Sequence, residues 1–103
     1  MKKTLTKFKQ EVRRFYASKK TGLFIRDIHF DYDEQLNPYV KFDWTKPYTC
    51  TITYHNELIK MAKYELKVYD KKNNLFLIHR MPTVNQALEL FHHINLLGKE
   101  QQK

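Results

Sequence analysis

The stretch that decides the fold is "KYELKVYDKKNNLFLIHR", Lys63 to Arg80. Tyr64, Leu66 and Val68 alternate with Glu65, Lys67 and Tyr69, the period of two that a strand shows when one face is buried. "DKKNN", residues 70–74, supplies turn formers, and "LFLIHR" returns, so the stretch reads as a β-hairpin. Its polar side sets basic residues beside an aromatic one. Two interpretations compete for that pattern. In one, Lys67, Lys71 and Lys72 contact phosphates and Tyr69 stacks on an unpaired base. In the other, the lysines guard an exposed sheet edge against pairing with other chains.

Working outward toward the N-terminus, "LFIRDIHFDYD" (residues 23–33) alternates, with Phe24, Ile28, Phe30 and Tyr32 opposite Asp27, His29 and Asp31. "DEQLNP" turns the chain, and "YVKFDW" (Tyr39 to Trp44) follows as a second strand. "YTCTITY" adds a third, directing Cys50, Ile52 and Tyr54 to the core. The segment "HNELIKMA" (55–62) is expected to form a short helix or turn capped by Asn56.

A helix is expected at each end. Leu5, Phe8, Val12, Phe15 and Tyr16 recur at three- and four-residue spacing and share one helical face. Gly22 is the expected stop, with Lys19 and Lys20 in the last turn. Toward the C-terminus, Thr83 and Gln86 form a capping box, and Val84, Ala87, Leu88, Phe91 and Ile94 trace one face as far as Gly98. Residues 1–98 therefore read as a single compact α+β domain, and 99–103 as a frayed polar tail. Its antiparallel sheet of four to five strands is flanked on one face by both helices.

The chain of 103 residues suffices for one modest core. No apolar run approaches the roughly 18–20 residues of a membrane span, and the charged N-terminus does not resemble a signal peptide, so no integral membrane association and a cytoplasmic location are expected. Cys50 is the single cysteine, which excludes an intramolecular disulfide.

Catalytic and metal signatures are missing. "DYDEQLNPYVKF" places oxygen ligands at calcium-loop spacing but has Leu36 where glycine is required and Phe42 where a bidentate glutamate is required. The five histidines show no zinc spacing, and two glycines cannot build a phosphate loop. No enzyme activity, cofactor or metal is expected.

What remains is charge. The net +8 is distributed as +7 in residues 1–22, −3 in 23–45, +4 in 46–80 and zero in 81–103. Such an excess attracts phosphate backbones or an acidic protein surface. The sequence thus points to a small, non-enzymatic nucleic-acid-binding protein with phosphate-dominated contacts and weak sequence preference. Its candidate binding residues are Lys7, Arg13 and Arg14 on the outer face of the first helix and Lys67, Tyr69, Lys71 and Lys72 on the hairpin. The alternative is an inhibitor or accessory factor that docks on an acidic surface of a partner protein. A homodimer through a sheet edge is a further expectation.

Overall fold

The structure, a computed structural model, describes residues 3–18, 28–42, 48–56 and 62–101. Helix α1 (Leu5–Ser18) is followed by strands β1 (Ile28–Tyr32), β2 (Pro38–Phe42), β3 (Thr49–Tyr54), β4 (Tyr64–Tyr69) and β5 (Leu75–Met81), then by helix α2 (Val84–Gln101). The strands form one antiparallel sheet in the order β1-β2-β3-β4-β5, so each pairs with its neighbour in sequence. This is the α+β architecture expected from the alternation and helical spacing.

Both helices lie on one face of the sheet. Phe8, Val12, Phe15 and Tyr16 of α1 are buried against Val40, Phe42, Cys50, Ile52, Leu66 and Val68 of the strands, and Val84, Ala87, Leu88 and Phe91 of α2 complete the core. Phe42 sits where the layers meet: its ring centroid is 5.6 Å from that of Phe91 and 6.3 Å from that of Tyr16. The helices also touch directly, with the Tyr16 hydroxyl 3.0 Å from His92 Nε2. Among the described residues no helix is long and apolar enough to cross a membrane.

Thr83 Oγ1 accepts the Gln86 N–H at 3.2 Å, the first half of the capping box. Thr4 caps α1 in the same way, accepting the Lys7 N–H at 3.2 Å. The far end of α2 differs from expectation. The helix runs through Gly98 to Gln101 rather than stopping at the glycine. A glycine inside a helix costs only about 1 kcal/mol, and the lysine, glutamate and glutamine that follow are good helix formers. The expected stop at Gly22, with Lys19 and Lys20, lies outside the described residues, as do Phe24, Asp27, Asp43, Trp44 and the centre of the 55–62 segment.

The two described hairpin loops, Asp33–Asn37 and Asp70–Asn74, share one design. In each, the aspartate N–H donates to the carbonyl of the asparagine four residues on, and its own carbonyl accepts the N–H three residues on. Each aspartate carboxylate also accepts two N–H groups inside its loop. For Asp70, the Asn74 N–H first and then that of Lys72 hold the carboxyl below its ordinary range. The design needs a left-handed residue at its fourth place, which is Asn73 (φ 62°) in one loop and Leu36 (φ 62°) in the other. Asparagine tolerates that region and leucine does not. Leu36 is 62% exposed, so burial gives nothing back. Leu36→Asn is therefore expected to stabilise the fold by about 1 kcal/mol, read as a rise in the urea midpoint at unchanged slope.

Candidate nucleic-acid interface

Strand alternation turns every second residue away from the helices. One row across that open face runs His29, Lys41, Thr51, Lys67 and Ile78, each opposite the next in the ladder. The row beside it runs Asp31, Tyr39, Thr53, Glu65 and Arg80, and on the other side Thr49, Tyr69 and Leu75 lie together. Lys41 and Lys67 are two strands apart, about 10 Å between backbones. Tyr39 and Tyr69 occupy the flanking rows, each partly exposed.

Glu65 is the exception on this face, because its residue is only 7% exposed. Arg80 Nε donates to Glu65 Oε2 at 3.1 Å, His55 Nε2 lies 3.3 Å from Oε1, and Lys67 Nζ lies 3.6 Å from the same oxygen. Burial alone would raise the carboxyl's pKa. The hydrogen bonds from Arg80 and His55 and the nearby Lys67 charge outweigh it, and the group is held below its ordinary value. Glu65 thus anchors the cationic side chains around it.

The α1 cations lie on the other side of the molecule. Lys7, Arg13 and Arg14 are exposed on the outer face of α1. Lys9 sits over the Phe30 ring at 5.6 Å. Lys3 is tied to Glu11 and donates to the Tyr64 hydroxyl at 2.8 Å, while that hydroxyl donates to Glu11 at 2.5 Å. Burial first, and the bond to Glu11 second, push the Tyr64 hydroxyl far above its ordinary range. Arg14 borders a cleft of about 250 Å³ together with Glu11, Tyr64, Pro82 and Thr83 before α2, and Val84 and Asn85 at its start. A carboxylate in that lining opposes an anionic ligand.

The sequence-based site residues therefore fall into two groups that the fold keeps apart. Lys67 and Tyr69 share the open sheet face, Lys71 and Lys72 are exposed in the turn at its rim, and Lys7, Arg13 and Arg14 lie behind the helices. The interpretation of the hairpin lysines as edge guards loses its premise. Lys67 belongs to β4, an interior strand paired on both sides, and the edge strand β5 contains no lysine. Sequence reading missed Tyr39 and Lys41 as members of the open face. The alternation of "PYVKF" against buried Val40 and Phe42 carried the signal for both, whereas Arg80, a basic residue of the hairpin in the sequence, is set beside Glu65 by the β4–β5 register.

No protein-family model, curated protein or solved structure matches the chain.

Proposed function

We propose that this protein binds single-stranded nucleic acid on the open face of its sheet, without catalysing a reaction. The supporting observation is the one-sided placement of the helices, which leaves Lys41 and Lys67 in one row with Tyr39 and Tyr69 flanking it. Lysines at that spacing meet successive stretches of backbone, and tyrosines accept bases of any identity on their rings, so contact is phosphate-dominated and sequence preference weak. Lys71 and Lys72 extend the track over the rim. A cytoplasmic location belongs to the same proposal.

Fluorescence anisotropy with a labelled single strand at two salt concentrations provides the test. Lys41→Gln combined with Lys67→Gln should lower affinity and reduce the logarithmic salt slope by about 1.4, two contacts at roughly 0.7 each. Tyr69→Ala should cost about 1–3 kcal/mol of binding on single strands. Arg13→Gln with Arg14→Gln should leave single-strand binding in place, since those side chains lie behind the helices. Absence of salt-dependent binding, or loss of binding in the arginine pair alone, sinks the proposal.

A second reading, an accessory factor docking on an acidic protein, is favoured by one observation. The exposed α1 stripe of Lys7, Arg13 and Arg14 is basic but carries no aromatic platform. A pull-down with nuclease-treated lysate separates the two, because a stoichiometric protein partner lost in the Arg13, Arg14 variant would support the α1 stripe.

A further inference from the structure

The least explained surface is the outer edge of β5. Leu75, Phe76 and Ile78 are 50%, 56% and 50% exposed, an unusual share of apolar surface for a strand that pairs on one side only among the described residues. Phe76 is the extra residue at the irregularity between Val68 and Tyr69, and its ring stacks on Tyr48 at 4.9 Å. From Leu77 to Met81 the pairing with β4 is regular. The opposite edge differs. β1 has five residues, carries Asp31 in its outward row, and is held to α1 by the Tyr32 hydroxyl, which accepts the Leu5 N–H at 2.9 Å.

We infer that β5 pairs antiparallel with β5 of a second copy of this chain, about a two-fold axis near Ile78, joining two sheets into one of ten strands. The strand is self-complementary in that register. Ile78 meets Ile78, Leu77 and His79 exchange places, and Arg80 stands across from Phe76 along the backbone, its guanidinium held by Glu65 on the open face while the Phe76 ring turns to Tyr48. No cation opposes a cation. The hairpin turns with Lys71 and Lys72 point away from the axis in opposite directions, which limits repulsion between two strongly basic chains. Pairing of seven residues over about 24 Å, with half of three large apolar side chains from each copy, is on the order of the 1,000 Å² total that specific association requires. An isologous contact uses β5 once per copy and leaves β1 as the outer edge, so the assembly closes at two.

This inference does not rest on nucleic-acid binding, and its test contains no nucleic acid. Sedimentation equilibrium of the whole chain should give a dimer that dissociates on dilution. Ile78→Lys, at a half-exposed position with little native packing to lose, should shift the protein to monomer while its melting transition stays cooperative. Ile78→Cys should cross-link with itself under mild oxidation, whereas Asp31→Cys on the other edge should not, and Cys50, fully buried, gives no background. The inference is overturned by a wild type that stays monomeric at high concentration, by a dimer that survives Ile78→Lys, by cross-linking through Asp31→Cys instead, or by open-ended oligomers. It is equally overturned if the partner proves to be another protein pairing with β5 while this chain alone remains a monomer.

Discussion

Phe42→Ala is expected to remove about 3–5 kcal/mol of folding stability, the largest effect of any single substitution considered. The ring is 1% exposed and contacts Tyr16 from one helix and Phe91 from the other. Truncation therefore opens a cavity bordered by three elements that cannot all collapse into it. The strand keeps its ladder to β1 and β3, but the helices lose their common support. Against a total stability of about 5–15 kcal/mol, typical of a domain this size, most of the margin disappears. Urea unfolding monitored by near-ultraviolet and far-ultraviolet circular dichroism checks this. A loss no larger than that of a surface substitution would mean that the helices pack on the sheet without Phe42 as their joint.

The second large effect belongs to Glu65. Glu65→Gln keeps the side-chain shape and removes the charge, leaving Arg80 and Lys67 without their common counter-ion and His55 without its carboxylate partner. Hydrogen bonds to a charged group contribute about 1.5–3 kcal/mol when buried, but Arg80 and Lys67 are 49% and 39% exposed, so screening reduces the expected loss to about 1–2 kcal/mol. The pH dependence has a definite sign. A carboxyl held below its ordinary value of 4.5 in the folded state contributes its full stabilisation above that value. The contribution is lost as pH falls through the depressed folded value. Wild type and Glu65→Gln should therefore differ most near neutral pH and converge in acid. A difference that persists unchanged into acid would assign the loss to packing instead.

The fold was legible because its periodicities are clean. Tyr64, Leu66 and Val68 alternate without interruption, and the α1 and α2 faces repeat at helical spacing, so burial could be assigned residue by residue. Edge and interior were harder to read. "YELKVY" is more polar than "LFLI", which invites placing the first outside and the second inside, whereas the sheet does the reverse. Periodicity reports which face of a strand is covered; it carries no information on which neighbour lies beside it. The open face suffered from the same limit. Lys41 and Lys67 are distant in sequence and share a row only because β3 lies between them with Thr51 in register. Arg80 and His55 likewise reach Glu65 from different strand ends, a convergence set by pairing and not by local pattern. The C-terminal helix overran Gly98 because one unfavourable residue is weaker than the surrounding propensity.

The meander order has a kinetic consequence. Each strand closes on the one just before it, so the sheet can zip from short loops with little chain entropy lost at any step, as in domains of low contact order. The helices reverse that economy, since Tyr16 and His92 meet across a separation of 76 residues. During synthesis at about 5–20 residues per second, α1 precedes the strands it packs on, and roughly 4–15 s pass before α2 exists to cover the other half of the sheet and meet Tyr16. The nascent chain's vulnerable segment is thus the first helix, and the same cationic side chains that crowd its outer face would keep it dispersed while it waits.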